Sequence, residues 1–374
     1  MRILQLGKFY PVLGGVEKVM FDITTGLSEA GVECDMMCAT SDGRGSEVIE
    51  LNPRGRVLCR KTWMKKARTT IAPSMITELR RRMNDYDIIH IHHPDPMAAV
   101  ALMLSGFKGK VVLHWHSDIL SQKTLLKFYL PIQNWLIKRA DAIVGTSPVY
   151  LAESPYLQKV QGKTRCIPIG IVPNRSDSAK VQGIRNEYAG KKIIFSLGRL
   201  VEYKGYRYLI EAAKYLDDSH IILIGGDGPL REDLERQIDD LGVRSRVRLL
   251  GKVSDEDLPS YYGACDLFCL SSIMKTEAFG IVQIEAMSEG RPLIATKIPA
   301  SGVAWVNEDG VSGINVEPCD SKAIAEAIKT ITQDHETWTR FSQGARERFA
   351  GNFTKEKMLD GCLKLYAELL GGRA

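Results

Sequence analysis

The stretch Glu277-Ala278-Phe279-Gly280-Ile281-Val282-Gln283-Ile284-Glu285-Ala286-Met287 decides how this chain is read. Two carboxylates flank a Phe-Gly step, with seven residues between them. From Ile281 to Met287 there is no Gly or Pro, which predicts a helix stopped by Gly290 and Pro292. Glu277 and Gly280 then fall on the loop before it. A helix N-terminus offers unpaired N–H groups and partial positive charge to an anion. Glu285, about one turn further in, can lean back over the same place. One loop thereby brings two acceptors and several backbone donors to a polar ligand carrying phosphate. A surface carboxylate beside a plain helix cap has the same spacing, so the rest of the chain must decide.

With 374 residues the chain exceeds one hydrophobic core and predicts two domains. Its 44% hydrophobic and 25% charged residues are ordinary for a globular protein. No apolar run reaches the roughly 18 residues that cross a bilayer. Met1 to Leu6 reads as a short strand rather than a signal peptide, so a cytoplasmic protein is expected. Cys34, Cys38, Cys265 and Cys269 lie in apolar, strand-like runs and read as buried thiols rather than zinc ligands. The net charge of +5 is uneven: residues 1–172 hold 23 Lys and Arg against 15 Asp and Glu. A basic first half suits anionic lipid, nucleic acid or an anionic substrate.

Arg2 to Leu6 reads as a buried strand, followed by a loop ending in Gly14-Gly15 and a helix from Val16 to Ala30. This is not G-x-G-x-x-G, which disfavours a nicotinamide cofactor. Glycines there let backbone approach a ligand, and a plain turn serves as well. Val32 to Ala39 predicts a second strand. Arg60, Lys61, Lys65, Lys66, Arg68, Arg80, Arg81 and Arg82 then surround Trp63, Met64 and Ile71. An interfacial, membrane-touching segment and a solvated basic face fit this equally. No nucleic-acid motif accompanies it. Asp85-x-Asp87 precedes a strand instead of ending one and is discounted as a metal signature. Alternation puts His90 and His92 on one face of that strand and His93 on the other, a pattern of packing or lining more than of metal binding. Val111 to Trp115 is a strand whose polar end carries His116 and Asp118, where ligands of open α/β sheets collect. Ile119 to Ala140 predicts an amphipathic helix, bent near Pro131.

The polar run Ser176 to Gly190 reads as a linker. Lys192 to Leu200 opens the second half as a strand, with Gly198, Arg199 and Lys204 around a tight turn. Two cations there suit a diphosphate, Arg forking onto oxygens and Lys as a point charge. Ile221 to Ile224 leads into Gly225-Gly226-Asp227-Gly228, a phosphate-facing turn. Val247 to Val253 is a further strand, and Phe353 to Leu370 a last amphipathic helix.

Glu277, Phe279-Gly280, Glu285-Ala286-Met287 and Gly290-x-Pro292 resemble the E-x7-E motif of retaining glycosyltransferases of family 4, with the GT-B fold. Gly198-Arg199-Leu200 with Lys204-Gly205, the Gly14-Gly15 loop, Ile167-Pro168-Ile169-Gly170-Ile171 and Gly251-Lys252-Val253 extend the resemblance over almost the whole chain. Ser271, where the family usually has Pro, is a small departure. The resemblance implies two Rossmann-like α/β domains facing across a cleft: residues 1–172 on the acceptor side, a linker 173–190, a nucleotide-sugar domain 191–352, and a helix 353–374 crossing back onto the first domain. It implies that Gly14, Gly15, Gly198, Arg199, Lys204, Gly228, Lys252, Val253, Glu277, Phe279, Gly280, Ile281, Val282 and Glu285 bind the donor. His116, Glu277, Arg199 and Lys204 become the catalytic candidates, and His116 a hydrogen-bond partner of the donor sugar.

The expected activity is retaining, metal-independent transfer of a hexose from a nucleotide-diphosphate sugar, with no resident cofactor. The run Thr276 to Glu285 resembles bacterial polysaccharide mannosyltransferases, which favours GDP-mannose over a UDP-sugar. The expected acceptor is a glycan or lipid-linked oligosaccharide at the inner face of the plasma membrane, with peripheral contact to anionic lipid and no nucleic acid. Two other classes stay open: a GT-B nucleotide-sugar epimerase, and a non-enzymatic nucleotide-sugar or lipid-binding protein.

Overall fold

A computed structural model describes residues 1–12, 14–66, 69–119 and 123–372. The chain divides into two compact units, Met1–Gly170 with Lys355–Ala374, and Ile171–Thr354.

The first unit is built on β1 (Arg2–Tyr10), β2 (Glu33–Thr40), β3 (Glu47–Asn52), β4 (Gly55–Arg60), β5 (Met64–Lys66), β6 (Thr69–Ile71), β7 (Ile88–His93), β8 (Lys110–Trp115), β9 (Ala142–Gly145) and β10 (Thr164–Cys166). Eight of them form one sheet in the order β10-β9-β8-β7-β1-β2-β4-β3, parallel except for the edge strand β3. β5 and β6 form a separate antiparallel hairpin. Every residue of β7 is buried, as befits a parallel strand covered on both faces. The strand order reverses between β1 and β7, so the loops leaving their carboxyl ends diverge and open a crevice there.

The second unit holds β11 (Lys192–Leu197), β12 (His220–Gly225), β13 (Val247–Gly251), β14 (Leu267–Leu270), β15 (Leu293–Thr296) and β16 (Gly313–Val316). They form one parallel sheet in the order β13-β12-β11-β14-β15-β16, with its reversal between β11 and β14. Ile194, Ile222, Ile224, Leu267 and Ile294 meet the helical residues Leu209, Ile238 and Ile328 in one core. Both units are thus doubly wound α/β domains, as the resemblance implies.

Two boundaries differ from the sequence reading. The stretch expected as a linker carries a helix, Ser178–Glu187, inside the second unit. Asp177 caps it through the amides of Ala179 and Lys180, and Arg185 pairs with Asp266 at 2.8 Å. None of its residues is buried, so its composition looks like a linker although its ion pairs hold it down. Phe353 stays in the second unit, edge-on to Phe279 and Trp305. The last helix, Lys355–Leu369, belongs to the first unit. Gly26 lets it pack closely, since a Cβ there would sit 2.4 Å from the end of the Leu359 side chain. The helix around Pro131 runs Lys123–Arg139; Leu120 lies outside the described residues.

Candidate active site

The second unit gathers most of the predicted residues where its strand order reverses. Gly198, Arg199 and Lys204 follow β11, and Ser271, Ser272 and Glu277 follow β14. Lys204 ends a short 3-10 turn closed by Gly205 at φ +65°. A Cβ at Gly205 would lie 2.2 Å from the Ser271 carbonyl oxygen, so only glycine lets the two loops touch. Ser271 Oγ donates to the Lys204 carbonyl at 2.9 Å. The departure from the family pattern therefore ties the loop that bears Lys204.

Lys204 Nζ lies 2.6 Å from Glu277 Oε2, and Ser272 Oγ donates to the same oxygen at 3.1 Å. Burial alone would lower the Lys204 amine. The Glu277 carboxylate outweighs it, with Tyr203 adding to the pull, and holds the amine above its ordinary value. Glu277 and Lys204, read separately from sequence, form one ion pair. Arg199 is exposed, and among the described residues its guanidinium has no ion-pair partner. It lies on the turn that follows β11.

The turns after β11 and β12 are laced together. Leu200 N donates to the Asp227 carbonyl at 3.0 Å, and a Cβ at Gly228 would lie 2.4 Å from the Leu200 carbonyl oxygen. A Cβ at Gly198 would meet the Lys204 side chain at 3.0 Å. Gly280 caps the helix Ile281–Ser288 at φ +76° with no side-chain cap, so the N–H groups of Ile281 and Val282 stay turned toward the loop. The Phe279 side chain is 4% exposed and packs on Phe353, so this residue offers a ligand its backbone alone. Glu285 accepts from Tyr262 OH at 2.7 Å. Gly251 closes β13 at φ +74°, Lys252 is exposed, and Val253 packs against Gly225.

The first unit places His116 one residue beyond β8. Its Nε2 is 2.9 Å from His92 Nδ1. His90 and His92 of β7 and His114 and His116 of β8 share one face as a ladder of stacked rings, with centroids 4.0 to 5.2 Å apart. His93 points the other way and stacks on Trp115 at 3.9 Å, as strand alternation requires. Nitrogens of His90, His92 and His114 come within 4.8 Å of one another. Their planes lie 15 to 25° apart, a stacked arrangement, whereas structural zinc takes its ligands tetrahedrally. Burial pushes all five imidazoles below their ordinary value, His114 to about 3. Asp118 accepts from Trp115 Nε1 and Ser154 Oγ, at 2.9 and 2.7 Å, and braces its loop.

Gly14 stands in extended backbone as the cap of the helix Gly15–Glu29. Sequence reasoning passed over Lys8, which sits within β1 at φ +59°, where the register with β2 shifts between Leu6 and Phe9. The Lys8 amide donates to Asp95 at 2.5 Å and its amine to the Pro94 carbonyl. Burial lowers that amine, against the pull of Asp95 and Glu17. Position alone could have found it, because Lys8 lies toward the carboxyl end of β1, the strand at which the sheet reverses. Gln5, Tyr262 and Tyr366 carried no such signal, since each looks like core in a linear reading.

Residues 13–175 match the family described as "Glycosyltransferase Family 4", and residues 177–348 match "Glycosyl transferases group 1". The O-antigen chain mannosyltransferase C of Escherichia coli is 32% identical over 378 residues, covering 100% of both chains. D-rhamnosyltransferase WbpZ of Pseudomonas aeruginosa is 29% identical, over 95% of this chain and 92% of its own. The crystal structure of Anabaena HepE in complex with UDP superposes with a TM-score of 0.78 at 21% identity, covering 98% of this chain and 100% of that one. Two matched halves and a relative alike from end to end agree with the paired carboxylates and cations of the second unit: the chain is a glycosyltransferase and belongs to family 4.

Proposed function

We propose that this glycosyltransferase moves a hexose, mannose from GDP-mannose, to a glycan or lipid-linked oligosaccharide in cell-surface polysaccharide synthesis. A UDP-sugar is the alternative donor. The full-length likeness to an O-antigen mannosyltransferase supports the sugar and the pathway class. The observation that carries the site is the Lys204–Glu277 pair with the uncommitted Arg199 beside it.

In this reading Arg199 and Lys204 neutralise the β-phosphate as the glycosidic bond breaks, which is electrostatic stabilisation of a leaving group. Lys204 turns from Glu277 toward phosphate while Glu277 takes sugar hydroxyls. Glu285 holds the ribose, and the amides of Ile281 and Val282 grip phosphate. These cations supply the positive charge, so no metal is invoked. His116 faces the sugar. The acceptor attacks from the face the phosphate leaves, the departing oxygen takes its proton, and the anomeric configuration is retained.

The acceptor places the enzyme at the inner face of the plasma membrane, and the β5–β6 hairpin supports peripheral contact there, with Trp63 72% exposed and Met64 52% exposed. No helix among the described residues is long and apolar enough to span a bilayer.

Purified protein offered a panel of GDP- and UDP-sugars, with and without lipid-linked acceptor, tests the proposal. Acceptor-dependent consumption of GDP-mannose with an α-linked product is expected. Turnover without acceptor into an epimerised donor, or no turnover with any donor, would remove it.

A further inference from the structure

We propose that Gln5, His92 and Tyr366 fix which nitrogen of His116 carries its proton, so that His116 presents an acceptor lone pair at Nδ1 to a hydroxyl of the sugar. This rests on the sugar-facing reading of His116 given above.

The network begins 250 residues from His116 in sequence. Tyr366, on the last helix, is fully buried. Its hydroxyl lies 3.2 Å from Gln5 Nε2 and 2.6 Å from His90 Nδ1. An amide nitrogen only donates, so the hydroxyl accepts from Gln5, and its own proton is left for His90 Nδ1 or the Cys362 thiol. The second amide proton points at Cys34 Sγ, 3.9 Å away, so both protons of Gln5 have somewhere to go. That orientation leaves Gln5 Oε1 facing His92 Nε2 at 2.8 Å. A carbonyl oxygen only accepts, and His92 therefore carries its proton on Nε2. Burial keeps the ladder neutral, so His92 has that one proton and Nδ1 is an acceptor. His116 Nε2, 2.9 Å from it, must donate. A neutral His116 is then left with its lone pair on Nδ1.

Each bond fixes the direction of the next, and the amide of Gln5 sets the sense of the whole. Turned over, it would reverse every donor and acceptor and leave His116 with a proton on Nδ1. Tyr366 and Cys34 both meet its nitrogen in this orientation. The four groups come from β1, β7, the end of β8 and the last helix, all within the first unit. Gln5, His92 and Tyr366 are positioning residues, and the ligand selected is a hydroxyl able to donate. A donor sugar lacking that hydroxyl would be handled as poorly as the enzyme with the wrong tautomer.

Two-bond 1H–15N correlation spectra of the full-length 15N-labelled chain read the tautomer directly. His116 is expected with a protonated Nε2 and a bare Nδ1. Tyr366→Phe removes one anchor of the amide without changing its volume much. It is expected to give His116 a mixed tautomer and to lower kcat about tenfold, with a smaller change in donor KM. A parent spectrum with the proton on Nδ1 would overturn the proposal and needs no variant. So would a folded Tyr366→Phe chain with the parent's tautomer and kcat. If His116→Ala keeps full turnover while the parent spectrum is as expected, the sugar-facing role fails and the tautomer assignment stands.

Discussion

Lys204 Nζ and Glu277 Oε2 are 2.6 Å apart, and each side chain is about one-tenth exposed, at 10% and 13%. They come from opposite sides of the reversal in the second sheet, 73 residues apart in sequence. A pair so enclosed holds two charges that neither strand could keep alone. Lys204→Ala is expected to lower turnover about 100- to 1000-fold, the cost of losing one such stabilising group. Glu277→Ala should fall in the same range. Because each holds the other in the enzyme without donor, the double variant should lose less than the product of the two single losses. Steady-state kinetics on the three variants check this, and multiplicative losses would show that the groups act independently.

Gly205 stands at φ +65° against the Ser271 carbonyl oxygen. Gly205→Ala combines a left-handed backbone, about 1–2 kcal/mol for a residue with a Cβ, with a contact of 2.2 Å that backbone must relieve. The loop carrying Lys204 has to shift. Both the unfolding midpoint of the second unit and kcat are expected to fall. Ser271→Ala, which removes only the hydrogen bond to Lys204, should cost about 1 kcal/mol. An unchanged denaturation curve for Gly205→Ala would contradict this packing.

Much of this was legible in the sequence. The helix after Gly280, the strand before Gly198 and the histidine alternation on β7 each follow from local pattern, and local pattern is what a linear reading holds. The pairing of Lys204 with Glu277 was not visible, since it depends on β11 lying beside β14. Nor was the dependence of His116 on Tyr366, which joins the ends of the chain. The helix Ser178–Glu187 was missed for a third reason. None of its residues is fully buried, and Val181 and Ile184 are too short an apolar stripe to announce it.

The buried imidazoles make the first unit sensitive to acid. His90, His92, His93, His114 and His116 are all held below their ordinary value by burial. Unfolded, each binds a proton near pH 6.5, while the folded chain refuses it, to about 3 for His114. Between those limits the unfolded state binds more protons, so stability rises with pH and falls as pH drops. It is present above about 6.5 and is lost progressively below. Each unmatched proton contributes about 1.4 kcal/mol per pH unit. Urea midpoints taken from about pH 7.5 to 5 should therefore drop, with a slope above one proton. His114→Leu, which removes a ring whose two nitrogens have no partner, should reduce that slope by about one proton. A flat profile would mean that the ladder takes protons while folded.

The β5–β6 hairpin carries the last prediction. The Trp63 amide donates to the Ile71 carbonyl at 2.9 Å and closes the hairpin, leaving Trp63, Met64 and Ile71 exposed by 72%, 52% and 37%. Three arginines of the basic run are engaged: Glu78 draws Arg60, Arg81 and Arg82 to within 3.8, 2.6 and 2.5 Å. Arg80 donates to the Leu104 carbonyl at 2.9 Å. Arg68 and the side chains of Lys65 and Lys66 lie outside the described residues. The charge left for lipid is thus smaller than the sequence count, and apolar insertion has to contribute a large share. Burying one indole in the interface is worth about 2 kcal/mol, so Trp63→Ser should weaken binding to anionic vesicles about tenfold or more. Salt should weaken what remains only in part, because insertion is not screened. Co-sedimentation with phosphatidylglycerol vesicles, against neutral ones, measures both effects. Equal binding by the parent and Trp63→Ser would assign this face to solvent.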